Sequence, residues 1–310
     1  MSQSKTGNSP EGAKRFRRLA TATAVMVYLL IVIGGIVRVT GSGLGCPDWP
    51  RCFGQWVPPL RADAIIEYTH RLVATLTSPL ILASAVVAWW RFRSIPLVTR
   101  SFLGAALLLA VQGLLGGVVV LLETPPNLVA VHLAVAFLIQ ALVTLPVVLL
   151  SQPKKDFKQS RLDYSHPVAR QTLITSIFVF VMIVSGALVV GSNSTYACSG
   201  WPLCNGQLFP SNPSAYVHMG HRFMVLITSL FIIRTFVQIR NLPAKNAALS
   251  SANTLAFSFF LVQTAIGAFK VSFNFPVWLQ GLHVAIASAV WLSFVILAAS
   301  AGLTQIKGDD

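Results

Sequence analysis

The chain has 310 residues, 55% of them hydrophobic and 10% charged. Soluble domains carry roughly 25% charged residues, and a water-soluble fold could not hide this much apolar sequence. The net charge of +14 would suit a nucleic-acid partner, but its placement along the chain reads as a membrane-orientation signal instead, so no nucleic acid is expected.

In chain order, the first predicted span is Leu19–Val39, preceded by Lys14, Arg15, Arg17 and Arg18. It is too long for a signal core and lacks a small-residue cleavage site, so it reads as a retained helix. A loop with Cys46 and Cys52 leads to the second span, Ala64–Trp90, which carries Glu67, His70 and Arg71 near its start. Arg91, Arg93 and Arg100 precede the third span, Ser101–Leu122, and His132 lies early in the fourth, Leu128–Leu150. Lys154, Lys155, Lys158, Arg161, His166 and Arg170 fall before the fifth span, Gln171–Gly191; His166 reads as a loop residue. A second loop, with Cys198 and Cys204, leads to the sixth span, Ala215–Ile239, with His218, His221 and Arg222 near its start. Arg234, Arg240 and Lys245 surround the turn into the seventh, Leu249–Val271. The eighth, Val277–Ala301, holds His283 and is followed by Lys307. About 20 apolar residues suffice to cross a bilayer. All these basic clusters fall on one side of an eight-span topology. The expectation is an all-α, multi-pass protein of the cytoplasmic (inner) membrane, surrounded by lipid, with both termini cytoplasmic and both cysteine loops outside.

The chain repeats with a period near 151 residues. The segment Cys46–Pro58 matches Cys198–Pro210 at seven of thirteen positions. His70-Arg71 matches His221-Arg222, Gln112 matches Gln263, Gly116 matches Gly267, and His132 matches His283. Each half has an even number of spans, so the halves enter the membrane in the same direction, as a parallel repeat. Two four-helix bundles follow, residues 1–150 and 151–310, each a scaffold that holds cofactors between facing helices.

The paired histidines are the first chemical signal. A membrane histidine is often a satisfied core residue, but two matched pairs at equal depth read as two sites. Two facing imidazoles suit haem iron; two per half give only weak support for zinc. Arg71 and Arg222 suit haem propionates or lie at the interface as snorkelling side chains. The cysteines read as two local disulfides, Cys46–Cys52 and Cys198–Cys204, bracing the loops or, less simply, acting in redox chemistry. Trp49, Trp56 and Trp201 read as interface anchors. Gly34, Gly35, Gly113, Gly116, Gly117, Gly186 and Gly267 allow close helix packing or close approach to a porphyrin. The halves differ where Glu67 stands one turn before His70 and His218 one turn before His221. A carboxyl group at the edge of the apolar layer is costly unless paired or used.

Together, Glu67-Tyr68-Thr69-His70-Arg71, His132, His221-Arg222, His283 and the two cysteine pairs resemble the haem A synthase family, from about Leu19 to Ala301. The resemblance implies oxidation of the C8 methyl of haem O to the formyl group of haem A. It also implies a haem O synthase upstream and delivery to cytochrome oxidase assembly. It assigns His70 and His132 to the substrate-haem site, makes Glu67 catalytic, and gives His221 and His283 a resident haem b. The alternatives are a bis-histidine electron carrier like a b-type cytochrome, and a haem transporter or chaperone.

Overall fold

The computed structural model describes residues 10–152, 157–243 and 246–304; Lys154, Lys155, Lys245 and Lys307 lie outside them. Among the described residues there are eight long helices and no strands. They are α1 (Pro10–Val39), α2 (Ala62–Arg91), α3 (Pro96–Leu121), α4 (Pro126–Leu150), α5 (Pro167–Gly191), α6 (Pro213–Arg240), α7 (Ala247–Ser272) and α8 (Val277–Leu303). Each is long and apolar enough to cross a membrane, which makes this a multi-pass membrane protein.

Helix starts follow from local chemistry. Proline occupies the first turn of α3, α4, α5 and α6, where its missing N–H costs nothing. Asn212 and Asn246 cap α6 and α7 by accepting from the amides of Ser214 and Leu249. The start of α1 is a correction: it begins at Pro10, so Lys14–Arg18 lie on the helix and not ahead of it. Long basic side chains are good helix formers, and Glu11 sits at the favourable end of the helix dipole and pairs with Arg15.

In the first half α1 touches α2 and α4, and α3 touches α2 and α4, closing a ring. In the second, α5 touches α6 and α8, and α7 closes that ring. Helices α1, α4, α5 and α8 also meet across the halves and form the middle of the molecule. There Trp291 donates to the Phe137 carbonyl at 2.9 Å and Tyr28 to that of Ala285 at 3.1 Å. Leu107, Leu114 and Leu121 form an exposed apolar stripe on α3, suited to lipid. Polar groups inside are spent between helices, since hydrocarbon offers no other partner. Thr23 and Ser84 join α1 to α2 at 3.0 Å, and Thr175 and Thr235 join α5 to α6 at 2.7 Å.

The two cysteine loops share one end of the molecule. Arg38, at the end of α1, donates to the carbonyls of Val190 and Gly191 at the end of α5 (3.2 and 3.4 Å). At the opposite end Phe16 packs on Phe92 and Phe102; Arg91, Arg93, Lys158, Arg161 and Arg240, the described basic residues at or between the ends of α2–α3, α4–α5 and α6–α7, belong to this end.

Candidate functional site

Each of the four paired histidines stands on a helix of its bundle and faces a glycine on a neighbouring helix. A Cβ at Gly34 on α1 would lie 2.9 Å from Cε1 of His70 on α2, and one at Gly186 on α5 would lie 3.0 Å from Cε1 of His221 on α6. A Cβ at Gly116 or Gly267 would lie 3.2 Å from Cε1 of His132 or His283. All four rings are half-buried. The other glycines separate by role. Gly35 marks a tight crossing of α1 with α8, where a Cβ would meet Cγ1 of Val284 at 2.2 Å. Gly117 receives the Trp49 ring, so Trp49 seats its loop on α3 and is more than an interface anchor; Gly113 faces nothing within 4 Å.

Buried imidazole nitrogens without partners are costly and rare, yet Nδ1 of His70, His132 and His283 has none. Around the rings, Gln112 donates to the His132 carbonyl at 3.0 Å, and Gln263 Nε2 lies 3.2 Å from His283 Nε2. His221 differs: its Nδ1 lies 2.8 Å from Ser185 Oγ. That hydroxyl gives its proton to the Met182 carbonyl at 2.6 Å, so it accepts from Nδ1–H and leaves Nε2 as the ring's lone-pair nitrogen. Ile33 stands at the corresponding place in the first half. Sequence reading missed Ser185, although the repeat alignment carries the signal. Among the described residues no three His, Cys, Asp or Glu side chains converge as metal ligands. The donor set in each half is two imidazoles in glycine cradles, which fits a flat porphyrin between helices.

Towards the cysteine-loop end, Glu67 is 5% exposed and bonded to Arg71 Nε at 3.0 Å. Arg71 is fully engaged: Nη1 donates to the carbonyls of Asp48 and Arg51, and Nη2 to that of Cys46. It therefore clamps the first cysteine loop onto α2, a role that neither sequence-based reading of this arginine included. Arg222 does the same for the second loop through Nη1, to Gly200, Pro202 and Leu203, but its buried Nη2 has no partner. His218, also 5% exposed, packs against Phe275 and leaves Nδ1 unpartnered. Phe275 holds φ +57°, a strained conformation for a bulky residue.

Both disulfides are formed, Cys46–Cys52 and Cys198–Cys204. Each loop turns on a glycine with positive φ, Gly54 (+71°) and Gly206 (+79°). The first loop is held by the Asp48 carboxylate, which accepts from the amides of Phe53 and Gly54. The Gly54 amide above all, with the Phe53 amide and nearby Arg71, holds this carboxyl below the usual range. The second loop uses the neutral Asn205, which accepts from Ser199 N and Oγ.

The molecule is thus a helical, multi-pass membrane protein with paired, glycine-cradled imidazoles and, among the described residues, a single buried acid–arginine pair. The chain matches the COX15-CtaA family, described as cytochrome oxidase assembly protein, over residues 17–65 and 61–295, and it belongs to that family. It is similar to "Heme A synthase" of Shouchella clausii, 30% identical over 90% of this chain and 94% of the relative. It is 27% identical to "Heme A synthase" of Geobacillus kaustophilus over 90% of each chain. It is 32% identical to that of Alkalihalophilus pseudofirmus over 71% of this chain and 75% of the relative.

Proposed function

We propose that this chain is a haem A synthase of the cytoplasmic membrane, with its cysteine loops outside, its basic connections and termini inside, and its product destined for cytochrome oxidase. The first half, residues 1–150, takes haem O as substrate between His70 and His132. The second, residues 151–310, keeps a haem b between His221 and His283, where a bound haem would supply an electron relay.

The observation that carries this reading is Glu67. The halves share imidazoles, arginines and glutamines at matched positions, so those groups do not distinguish a reaction site from a holding site. The carboxyl group does, because His218 stands in its place in the second half. Glu67 lies one turn from His70, so the two share a face of α2. Oxidising a porphyrin methyl group to a formyl group takes electrons, which must pass to an external acceptor, and releases protons; it is the loss of electrons that develops positive charge on the ring. A buried carboxylate one turn from the iron ligand stabilises that charge and accepts a proton. Arg71 holds Glu67 by one oxygen, leaving the other for this task, and ties its position to the loop that covers this end.

The test is to supply haem O to membranes carrying the protein, extract the pigments and identify them by mass. Wild type yields haem A. Glu67→Gln keeps the shape of the side chain but not its charge or basicity, so haem A should fall by on the order of a hundredfold or more, with the low-spin haem of the second half retained. Near-normal conversion by this variant sinks the assignment of Glu67. Unchanged haem O with wild type would favour an electron carrier or a haem carrier instead.

A further inference from the structure

The cysteine-loop end of the two halves is charged very differently. The acidic residues of this end are Asp48, Asp63, Glu67 and Glu123, all in the first half. Among the described residues the second half has none there: Gly200, Ser214, His218 and Asn274 stand at the corresponding positions. On the histidine-facing side of its third helix it has a cation with no counterpart, whereas the unmatched cations of the first half at this end include Arg38 at the end of α1 and Arg51 in the cysteine loop. Lys270 on α7 aligns with Val119 on α3.

Lys270 is placed on the histidine-facing side of its helix. Gln263, Gly267 and Lys270 follow one another at spacings of four and three, hence on one face. Gln263 contacts His283, and the Gly267 position faces the His283 ring. Lys270 lies one turn further towards the cysteine-loop end. Its Nζ lies 6.0 Å from the Phe275 ring, and that ring lies 6.2 Å from His218. The ammonium is half-buried and no described carboxylate is within ion-pairing distance of it. Across the bundle, Arg222 Nη2 is buried and unpartnered. Two unpaired cations inside a membrane protein are expensive unless an anion meets them. In the first half the matching charge is already neutralised, since Arg71 is paired with Glu67 and its remaining donors go to loop carbonyls.

We propose that Lys270 and the free Nη2 of Arg222 form a dicarboxylate site at the rim of the second bundle, which receives the two propionates of the resident porphyrin. This rests on the reading of His221 and His283 as haem ligands. The asymmetry separates a haem that stays from one that exchanges: the second half adds charge-assisted bonds to the iron ligands, and the first does not.

The experiment uses the full-length protein purified from membranes as wild type, Lys270→Met and Lys270→Arg. Haem loss is followed by transfer to excess apomyoglobin, and the midpoint potential by redox titration. Lys270→Met should keep the low-spin bis-histidine spectrum, lose haem faster by on the order of tenfold, and show a lower potential, because a nearby cation favours the ferrous state. Lys270→Arg should restore retention. An unchanged loss rate and potential in Lys270→Met overturns the proposal. So does a loss rate unchanged while co-purifying anionic lipid falls, which would make Lys270 a headgroup contact. If Lys270→Met does not fold, haemin and haemin dimethyl ester bound to wild type read the same contact: the ester should escape faster, and equal retention overturns the proposal. The underlying reading fails separately, if the low-spin signal of wild type survives His221→Ala.

Discussion

At the scale of single residues, matched positions with different chemistry are the most informative. Ser185 fixes the tautomer of His221, while Ile33 offers His70 nothing. An Nδ1–H that donates makes imidazole a stronger electron donor to a metal. If His221 ligates a haem as proposed, the low-spin signal of Ser185→Ala should persist while the haem midpoint potential rises; an unchanged potential would show that the hydrogen bond does not tune the ligand. Asp48 and Asn205 make a second such pair. The Asp48 carboxyl titrates below its ordinary value in the folded loop. Its contribution is therefore complete above the unfolded carboxylate value of about 3.9 and is lost as pH falls through the lower, folded value. Hydrogen exchange should show the Phe53 and Gly54 amides losing protection only below about pH 4, once the intrinsic pH dependence of exchange is removed. The Ser199 amide, held by a neutral amide oxygen, should show no such change.

At the scale of helices, the glycines sort by what they face. Gly35 sits where α1 crosses α8 between the halves, and a Cβ there would approach Val284 far inside contact distance. Gly35→Ala should cost about 1–3 kcal/mol through overpacking and lower the thermal midpoint in detergent. Gly113→Ala, with nothing within 4 Å, should leave stability equal or slightly raised, since alanine is the better helix former. If both substitutions behave alike, the crossing is not tight. Arg38 acts at the end of α5, where unsatisfied carbonyls carry the negative end of the helix dipole. Its guanidinium links the last turn of α5 in one half to α1 of the other.

At the scale of the whole molecule, α1, α4, α5 and α8 hold the halves together and also contribute Gly34, His132, Gly186 and His283 to the two sites, while α2, α3, α6 and α7 complete each site from outside. The disulfide loops sit on this frame as covers, clamped by Arg71 and Arg222 as well as by their own bonds. A closed loop of this length stabilises by about 2 kcal/mol at most in the chain-entropy view. Reducing both disulfides should therefore leave helical circular dichroism unchanged while loop amide exchange accelerates. Loss of helix on reduction would show that the loops hold the bundle together.

Sequence alone determined the helical, membrane-spanning class, the eight spans, the matched histidines and the Glu67–His218 difference. Each is a local property, legible as an apolar run of spanning length or as a residue recurring at a fixed offset. Helix ends were legible to within a few residues, except at α1, where an amphiphilic basic run continues the helix beyond the apolar stretch. Only the tertiary structure decided which groups are spent. Arg71 and Arg222 look equivalent in sequence, but one is saturated by Glu67 and loop carbonyls and the other keeps a buried nitrogen free. The glycines look equivalent too, but some face histidines, one an opposing helix, one a tryptophan and one nothing. The physical reason is that hydrogen-bond satisfaction and steric contact join residues far apart in the chain, and a periodic pattern fixes which face a residue occupies but not what stands opposite it.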